Sequence, residues 1–533
     1  MKSYQLYLLS VLSGVLLSLA WPHNGFAPLV FIALVPLLQV EHYFLSKPGF
    51  SAWNVFGHSY ITFLIWNVLT TYWVYYSTAF GGIMAFSLNS LFMAFFFAMF
   101  HAVHKRLGTI IGYTALICFW MSYEFLHQDW DLSWTWLILG NAFSEYFQWI
   151  QWYEFTGFMG GTVWVWLVNI LVVQGLNSSA NWLPNPSLFR MKYLIAALAL
   201  VLIPIGISYA LFYSYSEKSN PVEVVVVQPN IDPYNEKFDG MTAQEQLIKL
   251  LKLGESQITP QTQYLVGPET ALIEGIIEND IESYESIKMI RRFIKVYPQV
   301  KVVVGISSYR KYGTNEKLSN TARTSKSGES YDAFNTASQI DSSRKIQIYH
   351  KSKLVPGVEK MPFPKLLKPL EEIAFNLGGM SGSLGVQDER TVFSNPSNVA
   401  QKIAPVVCYE SIYGEYVGEY VKNGAGLIFI ITNDGWWGDS PGYKQHCSYA
   451  RLRAIEHRRS VARSANTGTS CFINQKGEIT QATPFWKPAV IKASINQNQE
   501  LTFYTKHGDY LAKASLILSL LIVLMLLGKM IKF

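Results

Sequence analysis

Eight stretches of this 533-residue chain are too long and too apolar for an ordinary soluble core. They lie near 4–21, 25–43, 55–77, 82–103, 108–126, 161–179, 193–214 and 509–528. A bilayer core of ~30 Å takes about 20 apolar residues as helix, because backbone polar groups there must be paired within the chain. Seven runs before residue 215 and one near the end therefore predict an α-helical transmembrane bundle of about eight spans. The first run follows Lys2, as a signal peptide would. No small-residue cleavage site follows it and six more runs come before residue 215, so it reads as a span.

Charge divides the chain at the same place. Residues 1–215 hold six Lys and Arg and six Asp and Glu, and the remaining 318 residues hold 37 and 31. The overall 15% charged content thus averages two unlike parts. Thirteen of the 16 Trp lie in the charge-poor part. Such a chain is neither disordered nor a coiled coil nor a disulfide scaffold. Its net charge of +6 belongs to the second part and is too diffuse to imply a nucleic-acid partner. The domains expected are a bundle over 1–214, an extramembrane domain over 215–508, and a closing transmembrane helix over 509–533.

Lys and Arg in short loops set orientation. With the N-terminus in the cytoplasm, the inner segments carry Lys2, Lys47, Lys105, Arg106, Arg190, Lys192, Lys529 and Lys532. The outer loops near 22–24, 78–81 and 127–160 carry no Lys or Arg. This asymmetry predicts two cytoplasmic termini and an outer position for 215–508. The outer loop 127–160 contains Trp130, Trp134, Trp136, Trp149 and Trp152. It reads as an aromatic belt at the interface, or as a lipid-facing wall of an active site.

In 215–508, β-branched runs at 222–228, 263–267, 301–307, 345–350, 402–408 and 426–432 alternate with helical patterns such as 242–256 and 282–296. Buried strands alternating with helices predict an α/β domain whose sheets are covered by helices. The stretch 309–333, rich in Ser, Lys, Gly and Asn, reads as a solvated loop. Of four cysteines, Cys118 falls in a membrane run; Cys408, Cys447 and Cys471 fall in the outer part, so at least one thiol stays free. Whether Cys447 and Cys471 pair is open. The chain has no C-x-x-C and no His-rich ligand spacing, so neither a metal nor a cofactor is expected.

Cys408 ends the apolar strand KIAPVVC, and YESIYGEYV after it reads as a helix. Such an elbow would present the thiol to a cleft, where the positive end of the helix would lower its pKa. Glu269, in QYLVGPETAL, stands just beyond a strand and could take the thiol proton. Lys351, in IYHKSKLVPGVEKMPF, follows another strand and could stabilise an oxyanion. Taken singly, these read more readily as a buried structural cysteine, a helix-cap glutamate and a solvated lysine.

Together, in the order Glu269, Lys351, Cys408, they resemble the catalytic triad of the nitrilase superfamily. That resemblance implies an αββα sandwich. The whole chain, with helices before and after this domain, resembles the bacterial apolipoprotein N-acyltransferase family. The likeness is carried by VVQPNI, PETA, YHKSKLVP, VCYES, TNDGWWGDS and QHCSYARLRAIEHRRSVARSANTGTS. It implies Glu269 as general base, Lys351 as stabiliser of the intermediate and Cys408 as acyl carrier. It also implies a supporting Glu359, Tyr409 and Glu410 beside the nucleophile, Asn335 near the site, and Trp436 and Trp437 at the cleft mouth. The family often has Trp where Gly267 stands, and V-P-F-G-E where Val355 is followed by Pro356, Gly357, Val358 and Glu359. The first departure is expected to alter a wall of the acyl pocket, the second the position of the Glu359 carboxylate.

The same resemblance implies a bacterial inner-membrane protein with a periplasmic catalytic domain. Its partners would be a phospholipid acyl donor and a diacylglyceryl apolipoprotein acceptor, and the membrane bundle favours a monomer. Two other readings are a membrane-tethered amidase acting on a small amide, and a scaffold or transporter with a degenerate outer domain. The fused bundle speaks against the first. The intact triad and the scarcity of charge within the spans, with Glu124 the one candidate, speak against the second.

Overall fold

A computed structural model describes the chain except residues 24, 48, 50, 178–185, 238–239, 364–382 and 532–533. Lys532 lies outside the described residues. The chain forms two compact units, one of residues 1–75, 79–214 and 507–533, the other of 76–78 and 215–506.

The first unit is helical. Its helices are α1 (Ser3–Leu19), α2 (Ala27–Leu45), α3 (Ala52–Thr71), α4 (Ala79–Leu107), α5 (Thr109–Leu126), α6 (Met159–Leu176) and α7 (Arg190–Ser214), with a closing helix at Tyr510–Met530. Each expected apolar run is thus helical. Six helices among the described residues are long and apolar enough to cross a membrane; α1, at 17 residues, and α3 are not among them. The α7 and closing helices turn Leu198, Ile203, Leu520 and Leu524 outward, and each of these side chains is more than half exposed. Apolar surface of that kind suits lipid rather than water.

Polar groups inside the bundle close backbone gaps. Helix α2 breaks at Leu34, two residues before Pro36, whose ring has no N–H. The Asn169 amide fills the gap: it donates to Val30 O and accepts from Leu34 N, each at 2.9 Å. Glu124 is buried and fully engaged. Its Oε1 accepts from Trp120 Nε1 (3.0 Å) and Leu139 N (2.9 Å), and its Oε2 from Thr162 Oγ1 (2.6 Å). It therefore ties α5 and α6 to the turn Leu139–Phe143 instead of lining a transport route. Glu41 is a second buried carboxylate that the hydropathy pattern hides, 2.6 Å from His101 Nδ1 and 3.2 Å from His104 Nδ1.

The Trp-rich segment 127–160 is mainly packed core, not an exposed belt. Trp136, Phe143, Ile150 and Tyr153 are buried, and Trp136 lies across Trp73 with ring centroids 4.8 Å apart. Trp130 remains more than a third exposed.

The second unit is an αββα sandwich. One sheet runs β14-β1-β2-β4-β6-β5, with β3 added on β4 and β7 on β6; the other runs β13-β12-β11-β10-β9-β8. The strands are β1 (Pro221–Gln228), β2 (Thr262–Val266), β3 (Leu272–Ile277), β4 (Lys301–Lys311), β5 (Arg323–Thr324), β6 (Ser330–Ile340), β7 (Gln347–His350), β8 (Phe393–Asn395), β9 (Asn398–Val407), β10 (Leu427–Thr432), β11 (Ser460–Ala465), β12 (Cys471–Ile473), β13 (Ile479–Ala482) and β14 (Ala489–Asn496).

Strand β1 shows why its run is continuously apolar. Val224 and Val226 enter the core between the sheets, while Val225 and Val227 pack under α8 (Ala243–Glu255) and α9 (Glu285–Val296). Successive side chains point to opposite faces, so a strand covered on both sides shows no polar alternation. The second sheet is covered by α10 (Gly414–Lys422) and α11 (Pro441–His457), whose Val417, Tyr420, Ala450 and Ala454 join the same buried cluster as the strands of that sheet.

The stretch 309–333 is not all solvated loop. Its two ends extend β4 and β6, which pair from Val302↔Ile340 to Lys311↔Tyr331. Strand β6 hides because it buries small polar residues, including Thr336 and Ser338; the Ser338 hydroxyl donates to Val304 O at 3.0 Å.

The Asn169→Leu variant should lower the unfolding midpoint of detergent-solubilised protein. The substitution takes the amide donor from Val30 O, at about 1–3 kcal/mol for a buried group left unpaired, and leaves Leu34 N only the Ile32 carbonyl of its own turn. An unchanged midpoint would contradict the bridging role of Asn169.

Candidate active site

Three strand ends deliver the site. Glu269 stands three residues after β2, Lys351 directly after β7 and Cys408 directly after β9. All three are buried, with Cys408 8% and Lys351 1% exposed.

Lys351 is the hub. Its Nζ lies 3.1 Å from Glu269 Oε1 and 2.8 Å from Glu359 Oε1. Asn335, on β6, donates through Nδ2 to the same two oxygens at 2.7 and 3.0 Å, and its carbonyl accepts from Lys351 N at 2.8 Å. The Asn433 N–H donates to Glu269 Oε2 at 3.1 Å. Burial works against the Lys351 ammonium, yet Glu269 and Glu359 hold it well above the ordinary lysine range.

Cys408 has φ +49°, in the left-handed region that non-glycine residues rarely adopt. Its carbonyl is held by Ser411 Oγ at 2.7 Å and by His446 Nε2 at 3.2 Å. The segment after it differs from the expected helix: it is a single 3-10 turn (Cys408–Ile412), and α10 begins only at Gly414. One such turn supplies little helix dipole. Burial pushes the thiol up, the Glu269 charge adds to this, and Lys351 pulls the other way. The expected lowering of the Cys408 pKa is therefore not met, because desolvation outweighs the cation.

The other expected residues fall around this cluster. Glu359 keeps its carboxylate in the site despite the altered segment before it, because Gly357 takes φ +77° and Val355 N donates to Glu359 Oε2 at 2.9 Å. Glu410 points into the protein. Its Oε1 accepts from Tyr349 OH (2.6 Å), Tyr416 OH (2.6 Å) and Ser352 N (2.8 Å), and its Oε2 from Val407 N (2.9 Å). It thus clamps the segment after Lys351 to the strand that ends at Cys408. Tyr409 is buried against Tyr413, with ring centroids 5.4 Å apart. Trp436 and Trp437 end the short turn Asp434–Trp437 that follows β10 and are only partly buried. A Cβ at Gly267 would lie 2.8 Å from both Leu250 Cδ1 and Val304 Cγ1, so it faces the layer under α8.

Sequence reasoning assigned no role to a buried charged layer behind Cys408. Asp434 Oδ2 is 2.7 Å from Arg463 Nη2, and Asp434 Oδ1 is 3.0 Å from His446 Nδ1. Burial opposes the Asp434 charge, but Arg463 and His446 hold the carboxyl well below the usual carboxylate range. The available signal was an arginine inside the strand SVARSA. Among the described residues no cluster of three or more His, Cys, Asp or Glu is arranged to hold a metal ion.

Residues 223–501 match the family model of carbon-nitrogen hydrolases, which agrees with the sandwich and defines the class of the second unit. Residues 13–171 match the apolipoprotein N-acyltransferase N-terminal domain. The chain is 32% identical to the apolipoprotein N-acyltransferase of Chlorobaculum tepidum, over 94% of this chain and 93% of that protein. It is 29% identical to the enzyme of that name from Geobacter metallireducens, over 95% and 92%. Against the Haemophilus influenzae protein the figures are 27%, 96% and 92%. The chain belongs to the apolipoprotein N-acyltransferase family.

Iodoacetamide should alkylate Cys408 slowly at pH 7 and faster as pH rises, because the thiolate is the reactive form. Glu269→Gln removes a negative charge beside the sulfur and should accelerate alkylation at fixed pH. Peptide mapping reads the rate at Cys408, and a slower rate in Glu269→Gln would contradict this electrostatic account.

Proposed function

We propose that this chain is an N-acyltransferase of lipoprotein maturation. It moves an acyl chain from a phospholipid to the α-amino group of an N-terminal diacylglyceryl-cysteine through a thioester on Cys408. The observation that carries the reading is the buried Glu269–Lys351–Glu359 cluster at the strained Cys408, in a chain of this family over nearly its whole length.

Glu269 takes the Cys408 thiol proton as the sulfur attacks the ester carbonyl. Lys351 stabilises the oxyanion of the tetrahedral intermediate. The lysophospholipid leaves with the proton from Glu269, and the thioester remains. The acceptor amine then attacks the thioester, Glu269 takes the proton it sheds, and the amide forms as the thiol is restored. Glu359 and Asn335 act by holding Lys351 and Glu269 in register, and Glu410 by holding the two strand ends together. A site from which water is kept out protects the thioester from hydrolysis.

Both substrates carry lipid, which gives a membrane-held enzyme its purpose. The Lys and Arg asymmetry supports cytoplasmic termini and a periplasmic catalytic domain in a bacterial inner membrane. Residues 1–214 and 509–533 form the bilayer part in this reading, and 215–508 the catalytic part. The enzyme acts as a monomer. A membrane-tethered amidase is less well supported, since a soluble amide needs no lipid-held scaffold.

Purified protein given phospholipid and a diacylglyceryl peptide should produce the N-acylated peptide and lysophospholipid. Cys408→Ala, Lys351→Met and Glu269→Gln should each lower the rate at least 10³-fold, the order expected for loss of a nucleophile or its partners. Circular dichroism should show these variants folded. Ammonia release from small amides without any N-acyl peptide would instead identify an amidase.

A further inference from the structure

Cys447 and Cys471 lie 3.7 Å apart, sulfur to sulfur, and both are buried. Cys447 belongs to α11 and Cys471 opens β12, so only the fold brings them together. A covalent bond would bring the sulfurs to ~2 Å. The site they flank is the charged layer behind the nucleophile: Cys447 follows His446, and Cys471 stands opposite Arg463 across the β11–β12 pair. In the folded domain a hydrogen bond from the Cys471 thiol, helped by Arg463, lowers the Cys447 thiol pKa against its burial.

We propose that Cys447 and Cys471 form a disulfide in the mature protein and leave Cys408 as the one free thiol of the extramembrane domain. The inference rests on the reading that this domain faces an oxidising compartment. There, three reduced cysteines within one domain would invite mispairing with the nucleophile. Pairing two of them removes that hazard and pins α11, which carries His446, to β12.

The oxidant is a protein disulfide of the dithiol-oxidase class. The Cys447 thiolate attacks one oxidant sulfur, the oxidant S–S bond breaks, and the released sulfur takes up a proton. Cys471 then attacks Cys447 Sγ, the mixed disulfide breaks, and the second thiol proton goes to the departing sulfur. The protein loses two electrons and two protons, and the oxidant leaves as a dithiol. Since both sulfurs are buried in the folded domain, the reaction belongs to folding, before α11 and β12 close over them.

The test uses full-length protein extracted without reductant, denatured in N-ethylmaleimide, digested and analysed by mass spectrometry. The expected result is a cross-linked pair of peptides containing Cys447 and Cys471, two hydrogens lighter than the separate thiol peptides, with Cys408 and Cys118 alkylated. Alkylation of all four cysteines overturns the proposal, and so does a cross-link that includes Cys408. Acyl transfer is measured on the same preparation. An active protein with four alkylated cysteines refutes the disulfide alone; an inactive one with the cross-link present counts against the acyltransferase reading and leaves the disulfide standing.

Discussion

The buried ammonium of Lys351 organises the second unit. A lysine with 1% exposure is unstable in isolation, because desolvation favours its neutral form. Here two carboxylates within 3.1 Å keep it charged, and each carboxylate is fixed in turn. Asn335 bridges Glu269 and Glu359, Asn433 N–H holds the far oxygen of Glu269, and Val355 N–H holds that of Glu359. The sandwich topology is what allows this. Glu269 from the turn after β2 and Glu359 from the segment after β7 meet the cation, Asn335 on β6 and Asn433 after β10 hold those carboxylates, and no two of these residues are closer in sequence than the eight positions between Lys351 and Glu359.

The same rule of paired polar groups operates in the helical unit, with a different solvent outside. Asn169 restores the helical bonding that the break before Pro36 removes, and Glu124 gathers three donors from separate segments. Apolar environments penalise any unpaired group, so these side chains serve as local connectors. In the second unit Glu410 does comparable work with five donors, joining the Lys351 segment to the Cys408 strand.

Elements with one-dimensional signatures were legible in the sequence. The apolar runs marked the helices, and VEVVVVQ marked β1 because both of its faces are covered. Strand β6 was not legible, since its buried Thr336, Ser338 and Gln339 look like loop residues until their partners on other strands are known. The strand-end positions of Glu269, Lys351 and Cys408 were readable from the apolar runs that precede them. The Asp434–His446–Arg463 layer was not, because its charges are 12 and 17 residues apart from His446 and meet only in three dimensions. The thiol pKa was misjudged for a related reason: a helix start can be guessed from sequence, but desolvation depends on everything packed around the sulfur. The place of Gly267 was likewise not legible: a Cβ there would face Leu250 and Val304 in the layer under α8.

The account stands or falls on a covalent acyl-enzyme. The decisive measurement is intact and peptide mass spectrometry of the wild-type protein after incubation with a phospholipid of defined acyl chain, with no amine acceptor. The account predicts one acyl chain in thioester linkage on the peptide that contains Cys408, removed by hydroxylamine and discharged when a diacylglyceryl peptide is added. An unmodified Cys408 in protein that still produces N-acyl peptide, or an acyl chain on another residue, would contradict it.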